Sequence, residues 1–336
     1  MTAPATLITT IKRLIPPLSG ALHKGQAGRI GVVGGSEDYT GAPYFAAISG
    51  LKLGADLSHV FCEKHAGTVI KTYSPDLMVH PYLRNTDSLG HPPSSPEGKK
   101  IITDQIERVA STLSRLHVLV VGPGLSRDEV MGEMTRQIVE RAREEGLPLV
   151  IDADGLLLIQ SDPELIKGYT LAVLTPNVNE FKKLCESQNV KFDGDHKDTA
   201  AQNLSKALGN VTILQKGPTD IISNGKEVIK CDTEGSPRRC GGQGDLLSGA
   251  CAAFLAWGKN YEAKAWDHPP NPDLDTDFQT RLPLLAAWAA SHTARLCSKR
   301  AFEERGRSVT TGDMVDVIGG VFGEVWEGEG VVRSQL

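Results

Sequence analysis

Short apolar, β-branched runs recur along the chain, and each closes on glycine, proline, asparagine or aspartate: "RIGVVGG" (29–35), "HVLVVGPG" (117–124), "LPLVIDADG" (147–155), "TLAVLTPN" (170–177) and "VTILQKG" (211–217). Runs without alternation predict strands covered on both faces. Between them, segments such as Asp128–Glu145 and Asn179–Gln188 set apolar residues at helical spacing among charges, as crossover helices require. The alternation predicts βαβ units in a mainly parallel sheet, with ligands at the carboxyl ends of the strands. Further on, "TDIISNGKEVIKC" puts Asn224-Gly225 between two alternating runs, which predicts a hairpin with a type I′ turn and hence an antiparallel flank. Two proline-rich stretches without an apolar period read as surface insertions: "NTDSLGHPPSSPEGKK" (85–100), and one near 261–280 centred on "DHPPNPDLDTD" (267–277). With no internal repeat and no clear interdomain linker, residues 1–336 are expected to form a single domain.

Composition changes this picture little. Of 336 residues, 40% are hydrophobic and 23% charged, enough for a sizeable core and too apolar for wholesale disorder. The 36 basic and 41 acidic residues leave a net charge of −5, no footprint for nucleic acid or an anionic membrane, so an anion must be held by a local site. Six cysteines (Cys62, Cys185, Cys231, Cys240, Cys251, Cys297) lack CxxC spacing, which favours a reducing compartment, and no histidine falls into HExxH or zinc-finger spacing. No run approaches the roughly 18 apolar residues that span a bilayer. The cytoplasm is the expected location. The opening "MTAPATLITTIKRLIPPLSG" has no signal-peptide core, yet the chain has no acid before Glu37 and carries Lys12, Arg13, Lys24 and Arg29. That leaves a mitochondrial pool open beside the plainer reading, an amphipathic first helix ending at Pro16-Pro17.

The chemistry is to be sought where strands end. "GVVGGSEDYTGAP" fails the GxGxxG dinucleotide fingerprint because Val33 and Ser36 stand where glycines are needed, and the chain has no GxxxxGK[ST] phosphate loop. In "RRCGGQGDLLSGACAAFLAW" (238–257), Gly241, Gly242 and Gly244 let backbone N–H groups converge, and the apolar helix that follows adds its free N-terminal donors. These make an anion cradle. Asp245 would either cap that helix or face a substrate hydroxyl while the amides hold a phosphoryl group. "LTPNVNEF" (174–181) spaces Asn177 and Glu180 for Mg²⁺, directly or through water, and equally for a capping box. Asp152 and Asp154 in "VIDADG" could join a metal and phosphate region, but closing a turn is the preferred reading. Lys216-Gly217 suits a nucleotide's phosphates or ribose; Gly122 and Gly124 flank Pro123 in a rigid turn open to close approach; Arg238 and Arg239 could touch phosphate or simply face solvent.

The order NxxE, KGxxD and then GGxGD at the head of an apolar helix resembles the ribokinase-like superfamily. With "KGQAGRIGVVGGSEDYTGAP", "YSPDLMVHP", "VGPGL", "DADGL" and "TPNVNEF", residues 20–325 apart from the two insertions resemble the ATP-dependent (S)-NAD(P)H-hydrate dehydratases. The resemblance implies an α/β three-layer sandwich with a mainly parallel central sheet, helices on both faces and an antiparallel edge hairpin. It implies that Gly124 and the run Asn177, Val178, Asn179, Glu180, Phe181, Lys182 and Lys183 line the site for hydrated NADH or NADPH, with Asp245 at its reacting end. ATP would be bound by Lys216, Gly217, Pro218, Thr219 and Asp220 together with Gly235, Ser236, Pro237, Arg238, Arg239, Cys240, Gly241, Gly242, Gln243 and Gly244. Asp245 would be the catalytic base, aided by Gly242 and Gly244, with Mg²⁺ near Glu180. The implied reaction phosphorylates the hydrate hydroxyl and then eliminates phosphate, so ATP becomes ADP and phosphate as reduced cofactor is regenerated. An NAD(P)H-hydrate epimerase is the implied partner, and a homo-oligomer is compatible with the sequence. Two other functions use the same residues: a small-alcohol kinase such as a thiazole or pyrimidine kinase, and a non-catalytic nucleotide sensor.

Overall fold

The strands β1 (Arg29–Val33), β2 (Leu57–Glu63), β3 (Met78–Leu83), β4 (Val118–Val121), β5 (Leu149–Ile151), β6 (Ala172–Leu174), β7 (Thr212–Gln215), β8 (Asp220–Ser223) and β9 (Val228–Cys231) form one sheet in a computed structural model that describes residues 4–192, 197–269 and 277–327. Their order is β3-β2-β1-β4-β5-β6-β7-β8-β9. Pairing is parallel from β3 through β7 and antiparallel for β7 with β8 and β8 with β9. Successive residues of each central strand feed opposite cores, as the two-residue period of a pleated strand dictates. Val118 and Val120 of β4 enter one core, Leu119 and Val121 the other, and β5, β6 and β7 divide in the same way.

Helices cover both faces. They are α1 (Pro4–Lys12), α2 (Gly41–Leu53), α3 (Lys64–Ile70), α4 (Thr86–Leu89), α5 (Pro96–Leu113), α6 (Glu129–Glu144), α7 (Asp154–Ser161), α8 (Val178–Ser187), α9 (Lys197–Ala207), α10 (Gln243–Glu262), α11 (Phe278–Arg305), α12 (Thr311–Asp316) and α13 (Ile318–Phe322). The core with Val120 takes its helical residues from α1 to α3 and α10 to α13, and the core with Val121 from α4 to α9. The expected three-layer α/β sandwich with an antiparallel edge is the observed fold. Helix α10 is buried on all sides from Leu246 to Gly258, as its unbroken apolar run requires. It crosses α2 in backbone contact: a Cβ on Gly249 would stand 2.0 Å from Ala46 O. None of the described helices is long and apolar enough to cross a membrane.

Four local expectations are corrected or completed. The hairpin after β7 exists, but its connection is the four residues 224–227 rather than a two-residue type I′ turn. Of Asn224 and Gly225 only Gly225 has positive φ, because the Asn224 side chain accepts from Lys226 N and Glu227 N and widens the loop. The stretch 85–100 is no featureless insertion: Asn85 caps α4, Ser95 caps α5 and Leu89 is buried. In the second stretch, Tyr261 and Glu262 end α10 and residues 278–280 open α11, while 270–276 lie outside the described residues. Strands β2 and β3 were not foreseen, since Ser58, His59, His80 and Pro81 break the apolar pattern. Proline is accommodated because β3 is an edge strand.

Candidate active site

The strand order reverses at β1 and β4, and such a switch point opens a crevice at the carboxyl ends. There Gly35 N donates to the carbonyls of Pro123 and Gly124 at 3.0 and 3.2 Å. Gly124 has φ +61, and a Cβ on it would come within 2.6 Å of Tyr39 O. The glycine at this position lets the loop after β1 settle on the loop after β4, a protein contact where the sequence suggested close approach of a ligand.

Helix α10 presents Asp245 to this edge. Its cap is Gly242, with φ 94 and no side chain to offer, so Asp245 stands inside the first turn and is not the cap. The pair Lys216 Nζ and Asp152 Oδ1, 3.0 Å apart, lies beside it, with side chains 23% and 3% exposed. A Cβ on Gly244 would lie 3.4 Å from Lys216 Nζ and 3.7 Å from Asp152 Oδ2, so the loop lies in van der Waals reach of the pair. Burial first, and then the Asp152 carboxylate, push the Asp245 carboxyl up to about 8, against the opposing pull of Lys216. Burial would lower Lys216, but Asp152 and Glu180 hold it above its ordinary value. Asp152 is thus part of the site and not only a turn. The next residue, Ala153, has φ 47 and ψ −122, a conformation costing on the order of 1–3 kcal/mol, and it lies between two aspartates that face the crevice loops. Asp154 accepts from Ser126 N at 3.0 Å.

Asn177 and Glu180 form the capping box of α8: Asn177 Oδ1 accepts from Asn179 N and Glu180 N, and Glu180 Oε2 accepts from Asn177 N. Burial raises the Glu180 carboxyl above its ordinary value, with Asp152 and Asp154 adding to the rise. Asn177, Asn179, Glu180 and Lys183 line a cleft of about 270 Å³ with Arg127, Ala153 and Asp154. Three residues of the expected run do not line this cleft. Phe181 is fully buried and packs edge-to-face on Phe192, Lys182 reaches Glu186 at 3.9 Å, and Val178 is exposed. The reason is helical: residues 179, 180 and 183 share one face of α8 beyond its cap Asn177, and 181, 184 and 185 form the buried face. Among the described residues no group of three or more His, Cys, Asp or Glu is arranged to hold a metal.

On the expected nucleotide side, Asp220 has both carboxylate oxygens engaged within the protein. Oδ1 accepts from Gly217 N and Arg295 Nη2, and Oδ2 from Ser291 Oγ and Arg295 Nε. Arg295 also donates to the carbonyls of Gly217, Pro218 and Thr233. Asp220 therefore shapes the 216–220 turn, leaving Pro218 and Thr219 at its tip. The stretch from Gly235 to Gly244 is pinned similarly: Ser236 Oγ meets Ser298 Oγ at 2.7 Å, Gln243 Nε2 and Ser236 Oγ both donate to Arg238 O, and Arg239 Nη1 donates to Ser236 O. Thr311 Oγ1 donates to Gly241 O, and Cys240 Sγ lies 3.6 Å from the same hydroxyl. Pro237, Arg238 and Arg239 remain exposed. Arg295, Ser291, Ser298 and Thr311 were not foreseen. The buried Ser291 and Ser298 and the intervening Arg295, which follow the apolar run 282–290 of α11, were the available signal, since polar groups there need buried partners.

Comparison with known proteins places the architecture first. A ribokinase-like superfamily protein from Enterococcus faecalis aligns with a TM-score of 0.71 over 95% of this chain and 94% of its own, at 17% identity. The Bacillus subtilis ADP/ATP-dependent NAD(P)H-hydrate dehydratase, co-crystallised with ATP/Mg²⁺, aligns at 0.66 over 95% and 97%, at 16% identity. These likenesses establish the fold as ribokinase-like. The sequence goes further: residues 30–319 match the family described as NAD(P)H-hydrate dehydratase. Proteins named ATP-dependent (S)-NAD(P)H-hydrate dehydratase are 47% identical in Schizosaccharomyces pombe, over 96% of this chain and 94% of that one, and 47% identical in Bos taurus, over 96% and 90%. The chain belongs to the NAD(P)H-hydrate dehydratase family.

Proposed function

We propose that Asp245 is the base and the Gly241–Gly244 backbone the phosphoryl cradle of an ATP-dependent hydro-lyase that dehydrates the S-epimer of hydrated NADH or NADPH. The carrying observation is the first turn of α10: a carboxylate held up to about 8, beside a glycine-capped helix end and within the field of Lys216. The hydrate bears a hydroxyl on the carbon beside the dihydropyridine nitrogen, and hydroxide leaves poorly. Asp245 accepts the hydroxyl proton as the oxygen takes the γ-phosphoryl group, whose charge meets the loop amides and Lys216. ADP departs. The ring nitrogen's lone pair then expels phosphate, and loss of a proton from the adjacent carbon restores the reduced ring.

Mg²⁺ carried in with ATP suits the oxygen-rich cleft at Glu180 through water, and would neutralise phosphate charge there. We read the chain as one catalytic domain with Asn177, Asn179, Glu180 and Lys183 on the substrate side and the 216–220 and 235–244 loops on the ATP side. Its six free cysteines suit the cytoplasm. An enzyme confined to the S-epimer would work alongside an epimerase that supplies it from the R form.

Incubating the protein with ATP and hydrated NADH is expected to restore absorbance at 340 nm with one ADP and one phosphate formed per NADH. A stable phosphorylated alcohol would instead assign the chain to the small-alcohol kinases. No turnover, with ATP still bound, would make it a sensor.

A further inference from the structure

Thr311, the first residue of α12, is 2% exposed and donates from Oγ1 to Gly241 O at 2.6 Å. The start of α12 is itself fixed, since Thr310 N and Oγ1 both donate to Asp313 Oδ2, and Arg305 pairs with Asp313 Oδ1 at 3.3 Å. The two sides of the glycine loop differ. A Cβ on Gly242 would lie 2.8 Å from Thr311 Oγ1 and 3.0 Å from the Phe45 ring, whereas one on Gly241 would meet nothing within 4 Å. One side rests on α12 and α2, and the other is open.

A trans peptide unit points its C=O and N–H in opposite directions. Holding the Gly241 carbonyl against Thr311 therefore turns the N–H of the same unit, which belongs to Gly242, away from α12. Glycine on both sides of this unit makes the reversed orientation accessible too, because neither residue has a Cβ to forbid it. Reversal would put a carbonyl oxygen where a phosphoryl oxygen needs a donor. The orientation must be imposed from outside the loop, and Thr311 is bonded to the atom that decides it.

The geometry points to Thr311 as a positioning residue for phosphoryl transfer: its hydroxyl holds the Gly241 carbonyl down and so aims the Gly242 N–H at the γ-phosphoryl group. This rests on the reading of the loop as a phosphoryl cradle. Thr311→Val keeps the side-chain volume and removes the hydroxyl. It is expected to lower kcat by about tenfold to a hundredfold, the effect of misplacing one donor, while KM for ATP stays within about twofold. Thr311→Ser is expected to recover most of the loss. Affinity for ADP with aluminium fluoride, which mimics the transferring group, should fall with kcat, and affinity for a non-hydrolysable ATP analogue should not. Thr311→Ala repeats the test if valine packs poorly.

Unchanged kcat in both hydroxyl-free variants overturns the inference. So does equal impairment of Thr311→Ser and Thr311→Val, or an equal loss of both ligands' affinities. Asp245→Asn, assayed in parallel, separates the two levels. If it loses turnover while Thr311→Val does not, only the role of Thr311 fails; if it keeps full turnover, the reading of the loop fails.

Discussion

Asp245→Asn is expected to lower turnover by at least about two orders of magnitude while leaving ATP affinity nearly unchanged, because it removes a general base without touching the backbone cradle. Turnover would be followed at 340 nm and ATP binding by calorimetry; a variant as active as the parent would remove Asp245 from the base's role. The pH profile gives an independent check. In the free protein burial and the Asp152 carboxylate hold the Asp245 carboxyl up to about 8, so at lower pH it carries a proton and cannot accept another. The quantity kcat/KM, which reports the free enzyme, should therefore rise with pH through about 8 and fall on the acid side by about tenfold per pH unit. Replacing Asp152 by asparagine should move that limb to lower pH, since a carboxylate that raises Asp245 is gone. An acid limb in the ordinary carboxylate range in the parent protein would contradict the assignment.

Arg295→Met is expected to cost about 3–5 kcal/mol of stability in urea unfolding, the range for breaking a buried ion pair by deleting one partner. Asp220 is 4% exposed and would be left with only Ser291 and Gly217 N as donors. Three carbonyls, of Gly217, Pro218 and Thr233, would lose their donor as well. Adding Asp220→Asn to Arg295→Met should recover part of the loss, as coupled residues do in a double-mutant cycle. The remaining activity should show a raised KM for ATP, because the 216–220 turn is no longer held. A cost below about 1 kcal/mol, the range of exposed pairs, would mean that Arg295 is dispensable to the turn.

What could be read from the chain alone follows from how each feature writes itself into sequence. Strands β1 and β4 to β7 announce themselves because both faces are covered, and the site motifs stand out because glycines, Asn177, Lys216 and Asp245 interrupt apolar runs at strand ends. β2 and β3 did not, since His59, His80 and Pro81 occupy positions that pairing and an edge location tolerate. Asp152 was visible, but nothing local distinguishes an aspartate that closes a turn from one that also holds a lysine 64 residues away. Arg295 and Thr311 act on loops 75 and 70 residues from them, through contacts no spacing rule encodes. Phe181 was assigned to the substrate by adjacency in the run, and the helical period turned it into the core instead.

The Thr311 contact also has a meaning in time. A chain emerges N-terminus first, so the sheet through β9 and the whole of α10 can be assembled before the residue that orients Gly241 is made. Until α12 docks, the nascent protein would have a pocket of the right outline whose amide donors are not yet set. Competence for phosphoryl transfer would then come only with the docking of α12, and a chain made no further than α10 would have little means of spending ATP.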